Sequence, residues 1–157
     1  MNRNFVFAFV LLITLFNLCT VNASPLLKRS TVTFNKCPLN DTATLLVSLA
    51  PNPPQSNGLE SFSVTGVLSK PVVAGTTFLL IVFADATGKK ILTDAYFKVF
   101  DQSFDAGSTM SISVTDVPTP VNLPKTYTIG VGVGDPELGN PITPLLFSGC
   151  TYAVVNN

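Results

Sequence analysis

Side chains able to do covalent or proton-transfer chemistry are scarce in this chain of 157 residues. There is no histidine, so neither a Ser-His-Asp nor a Cys-His arrangement can be assembled. Asp101 and Asp105 stand four apart beside Phe97, Phe100 and Phe104. They could share a proton or a cation, but in a stretch where strand spacing fails they form no recognised site. No grouping of Asp, Glu and Cys has metal-ligand spacing, and no glycine-rich loop opens a helix. No enzyme, cofactor or metal is therefore expected. Asn40-Asp41-Thr42 is an acceptor sequon for N-glycosylation in a secreted chain. Of three cysteines, Cys19 falls in the leading apolar run, leaving Cys37 and Cys150. An even pair in an oxidising compartment reads as a disulfide; two free thiols are the alternative.

The compartment follows from the first residues. Arg3 precedes an apolar run from Phe5 to Leu18, and Val21-Asn22-Ala23 presents suitable residues for signal peptidase. The run meets Asn17 and Asn22 before the roughly 20 apolar residues that a spanning helix needs. Residues 1–23 are read as a cleaved signal peptide and 24–35 as a linker. Within that linker, Lys28-Arg29 is either a processing site or two solvated charges. Residues 36–157 form one domain, expected to be secreted or held in the lumen of the secretory or vacuolar pathway. Beyond Arg29 there is no arginine, and nine acids face six lysines. Such a chain carries no electrostatic footprint for nucleic acid. A monomer is expected, with transient membrane contact as an option.

The elements that must position any site are strands. Short runs of Val, Ile, Thr, Phe and Tyr, broken by Pro, Gly, Asn and Asp, are the pattern of a β-sandwich. Seven strands are expected: Thr42–Leu49, Leu59–Ser69, Thr76–Ala84, Lys90–Phe100, Ser108–Thr115, Thr126–Val133 and Leu145–Val154. Pro51 to Pro54, Asp85 to Gly88, Pro118 to Pro124, and Asp135-Pro136 with Asn140-Pro141 mark connections. Alternation assigns a wet face to Ser61, Ser63 and Thr65, to Ser111, Ser113 and Thr115, and to Thr126, Thr128, Gly130 and Gly132. The run Thr76–Ala84 is apolar on both faces. It is expected to be central, or covered on its outer side by a loop or partner.

Several motifs in order resemble a known family. They are Leu49-Ala50-Pro51-Asn52-Pro53-Pro54, then Gly66-Val67-Leu68-Ser69-Lys70-Pro71-Val72-Val73-Ala74-Gly75, then Asp116-Val117-Pro118 with Leu123-Pro124-Lys125-Thr126-Tyr127-Thr128-Ile129. Over about Lys36 to Cys150 the chain is similar to the ML lipid-recognition family. The fungal phosphatidylglycerol/phosphatidylinositol transfer branch is nearest, with the Niemann–Pick type C sterol carrier also akin. Cys37 and Cys150 fall where that family has its first and last cysteines, while its inner pairs are missing. The resemblance implies an immunoglobulin-like β-sandwich whose sheets stand apart around an apolar pocket for a sterol or phospholipid. The side chains expected to line that pocket are Phe62, Val64, Phe78, Leu80, Val82, Phe97, Phe100, Ile112, Val114, Tyr127, Ile129 and Val131. Lys89, Lys90 and Lys98 are the nearest cations for an anionic headgroup. The alternative is an extracellular adhesion or carbohydrate-binding sandwich. Sugar-binding modules usually present aromatic platforms, often tryptophan, and this chain has none.

Overall fold

The structure is a computed structural model that describes residues 31–137 and 145–156. The expected signal peptide, Lys28-Arg29 and Asn140-Pro141 lie outside the described residues. Eight strands follow in order: β1 (Asn35–Lys36), β2 (Leu46–Ala50), β3 (Leu59–Val67), β4 (Phe78–Asp85), β5 (Tyr96–Val99), β6 (Thr109–Pro118), β7 (Thr126–Pro136) and β8 (Leu145–Asn156). They form two antiparallel sheets, one ordered β1-β8-β7-β4-β5 and the other β2-β3-β6. The architecture is an immunoglobulin-like β-sandwich, and the expected fold class holds.

The core lies between the sheets. Phe62 and Val64 of β3 and Met110, Val114 and Val117 of β6 meet Leu79, Ile81 and Phe83 of β4 and Ile129, Val131 and Val133 of β7 in one buried cluster. Each set recurs with the period of two that a half-buried strand imposes. The outward faces of β3 and β6 carry the hydroxyls that alternation assigns there, with Ser113 and Ser63 in contact at 3.4 Å.

Most strand ends shift by a few residues, and the larger departures from expectation have local reasons. The strand expected from Thr42 begins at Leu46, because Ala43 belongs to the other sheet. The Ala43 amide donates to the Ser148 carbonyl, and the Cys150 amide donates to Ala43. Leu45 bridges the change of sheet. A Cβ on Gly66 of β3 or Gly149 of β8 would stand 2.9 or 2.7 Å from its Cδ2, so both glycines make room for this one side chain. The strand expected from Lys90 is confined to Tyr96–Val99. The Asp85 carboxylate gathers the amides of Thr87 and Lys89 and the Thr87 hydroxyl, which closes a turn with Gly88 at φ 71°. Ile91 then bridges Ala84, and the ladder breaks before it resumes at Tyr96. Strand β1 has only two residues, too few to show any periodicity.

The Phe97–Phe104 segment is a cap at one end of the core. Phe100 is buried and meets the half-buried Phe104 edge-on at 6.3 Å. Phe104 exchanges backbone hydrogen bonds with Val72, and the Phe100 amide donates to Thr77.

Candidate functional site

Strand β7 has a divided character. Tyr127, Ile129, Val131 and Val133 point into the core, and Thr128, Gly130, Gly132 and Gly134 alternate with them on the outer face. The register places Gly130 beside Val82, Gly132 beside Leu80 and Gly134 beside Phe78. On the far side of β4, Phe97 pairs with Leu80 and Val99 with Phe78. The outer face of the five-stranded sheet is thus apolar along β4 and β5 and nearly bare along β7. Phe147 of β8 lies across the bare strip: a Cβ on Gly132 would meet its ring at 2.5 Å. Only glycine leaves room for that ring.

This arrangement leaves an open apolar hollow of about 560 Å³. Strand β4 supplies Leu80 and Val82, β5 supplies Phe97, and β8 supplies Leu145, Leu146 and Phe147. Ile91 and Ala95 close one side from the β4–β5 connection, and Leu39, Asn40 and Thr42 close another from the β1–β2 connection. Besides Asn40 and Thr42, the one polar side chain in the lining among the described residues is Glu137. Leu39 also borders a second hollow of about 480 Å³ on the same sheet face, against Thr128, Tyr152 and Val154. Both volumes lie within the roughly 300–1,000 Å³ typical of small-molecule sites.

The segment over this face is fastened to β8 at both ends. Cys37 is joined to Cys150 by a disulfide, and Ala43 holds Ser148 and Cys150 through backbone hydrogen bonds at 2.9 Å each. Between these anchors the chain arches through Leu39, Asn40 and Asp41. The Thr42 hydroxyl donates to the Leu39 carbonyl at 3.1 Å, and Asp41 adopts a left-handed φ of 59°.

The twelve side chains expected to line a pocket do not share one space. Phe62, Val64, Val114, Tyr127, Ile129 and Val131 are buried in the intersheet core, and Phe100 is buried in its cap. Ile112 is half-buried and packs against the core. Phe78, Leu80, Val82 and Phe97 lie on the opposite face of the sheet. The hollow gathers Leu80, Val82 and Phe97 from the expected set. The expected parity of β4 is therefore corrected: Leu79, Ile81 and Phe83 are its inward residues, each under 2% exposed. A strand apolar on both faces gives no sign of which face is inward. The outer face of β7 is corrected as well, since its glycines floor an apolar surface instead of a wet one. Phe147, Leu145, Ile91, Ala95 and Leu39 line the hollow without having been expected to. The sequence signal that points to them is the alternation Gly130, Gly132, Gly134, which implies something large lying on that strip.

Glu137 is the one ionisable group in the hollow's lining among the described residues. Among the described residues no three His, Cys, Asp or Glu side chains are grouped to hold a metal. Tyr96 points to the other sheet and donates its hydroxyl to Asp116 at 2.9 Å. Partial burial, then the adjacent carboxylate, pushes its pKa above the ordinary phenol value.

No family model matches the chain, and no curated protein matches it. Among solved structures, the chain is similar to the crystal structure of chicken MD-1 complexed with lipid IVa. The identity is 11%, over 80% of this chain and 88% of that one, at a TM-score of 0.48.

Proposed function

We propose that this is a secreted, non-enzymatic lipid-binding protein that holds a sterol or a phospholipid chain on the outer face of its five-stranded sheet. The observation that carries the reading is the hollow of about 560 Å³ over Leu80, Val82 and Phe147, on a sheet face that in an ordinary sandwich is polar. Burying hydrocarbon there stabilises a bound chain by about 0.8 kcal/mol per methylene, without help from specific polar contacts. The absence of histidine from the sequence supports a carrier over a hydrolase. The ML-like motif order agrees with lipid as the ligand class, with the site on a different face from the one that order implies.

The test is uptake of fluorescent sterol and fluorescent phospholipid by the purified protein and by Val82→Trp. Val82 is half-buried at the hollow's base, so the indole should occupy the space the lipid needs and abolish uptake, with thermal stability close to wild type. No uptake of any lipid by wild type, or undiminished uptake by Val82→Trp, would overturn the assignment.

A further inference from the structure

We infer that Asn40 carries an N-linked oligosaccharide rooted on the rim of the hollow, where its first sugars screen the mouth against large molecules. The inference rests on the proposed export of the chain. Three observations converge on this residue. Asn40-Asp41-Thr42 is an acceptor sequon. Asn40 is exposed and lines the hollow between Leu39 and Thr42. It also stands at the crest of an arch held at Cys37 by the disulfide and at Ala43 by two backbone hydrogen bonds. A glycan on a loose loop would sweep the solvent. One rooted on a segment fastened at both ends has its first residues held near one place.

The chemistry is the ordinary transfer from a lipid-diphosphate-linked oligosaccharide. The Asn40 side-chain nitrogen attacks the anomeric carbon of the first sugar and forms the C–N bond. The bond from that carbon to the diphosphate oxygen breaks, the diphosphate leaves with the electron pair, and the amide gives up one proton. Thr42 is 6% exposed in the folded domain and its hydroxyl is bonded to Leu39, so transfer precedes folding of this segment. Exposed Asn40 leaves the attached sugar room once the arch has formed.

Across the hollow, Ile91 is 57% exposed and marks the opposite rim. It offers a readout that needs no lipid. The full chain is secreted from a eukaryotic host as Ile91→Cys, with Ser113→Cys on the outer face of the three-stranded sheet as control. Each is alkylated with a small and a polymer-linked maleimide, before and after trimming by an endoglycosidase. Intact mass should show sugar that is absent from Asn40→Gln. Trimming should speed the polymer-linked reagent several-fold at position 91, with the small reagent and position 113 unaffected. Secreted protein without sugar at Asn40 would overturn the inference, and so would equal rates before and after trimming. Failure of both glycosylated and trimmed protein to take up lipid would instead overturn the lipid reading, and the labelling rates would still decide the role of the sugar.

Discussion

Glu60 is a carboxylate where the fold gives it little to bind. It lies on β3 at 0% exposure, beside the bulge between Glu60 and Phe62. One oxygen accepts the Gln55 amide at 3.1 Å, and the other has no hydrogen-bond partner among the described residues. Burial pushes its pKa above the ordinary carboxyl value, with the Gln55 amide opposing in part. An acid with a raised folded-state pKa binds its proton more tightly when folded than when unfolded. Its stabilising effect is complete below the unfolded value and is lost as pH rises through the folded one. Glu60→Gln should therefore be more stable than wild type at neutral pH, with the gap closing in acid. Thermal denaturation across that range checks this, and parallel curves for the two proteins would contradict it. Nothing in the local sequence Leu59-Glu60-Ser61 announces the burial. Alternation there assigns Phe62 and Val64 inward, and Glu60 follows them by parity, which was the one available sign.

At the scale of strands, period-two patterning made the inward faces of β3, β6 and β7 legible, because each alternates hydroxyls or glycines with large apolar groups. It failed on β4, whose Phe78, Leu80 and Val82 are as apolar as Leu79, Ile81 and Phe83. Pairing with the glycines of β7 decides that strand's orientation, and pairing is not written in β4 itself. Three of the expected pocket residues were thus found in the hollow, while the seven on β3, β6 and β7 are in the intersheet core or packed against it. The division has a measurable consequence. Val131 and Ile129 are each at most 1% exposed in a filled cluster, so Val131→Trp or Ile129→Trp should destabilise by about 1–3 kcal/mol through overpacking. Chemical denaturation of these variants beside Val82→Trp makes the comparison. Equal stability of all three would mean that the space between the sheets is roomier than its packing shows.

For the molecule as a whole, the cross-link at 113 residues' separation dominates. In the chain-entropy view, closing so long a loop in the unfolded ensemble is worth about 4–5 kcal/mol, and removing a native bridge from a small domain typically costs about 2–5 kcal/mol. Cys150→Ala should lower the melting temperature clearly. It should also weaken lipid uptake, because Cys37 roots the arch that borders the hollow through Leu39 and Asn40. Retention of wild-type melting and uptake would show that the backbone bonds of Ala43 suffice to hold the arch. The placement of both cysteines near the ends of the folded region was plain in the sequence. That they fasten a rim was not, since it depends on residues 38–43 crossing the outer face of β8.

The pairing of Asn35 with Tyr152 and Lys36 with Thr151 sets an order of events during synthesis. Strands β4, β7 and β8 form the middle of one sheet, yet β4 waits for β7 and β1 waits for β8, the last of the eight described strands. A sheet of such distant pairings closes late and slowly. Until β7 has been made, one edge of β4 is unpaired and its outer apolar face lacks the glycine strip beside it. The larger sheet therefore stays incomplete until β8 has been made, and that strand is the latch that joins β1 to β7.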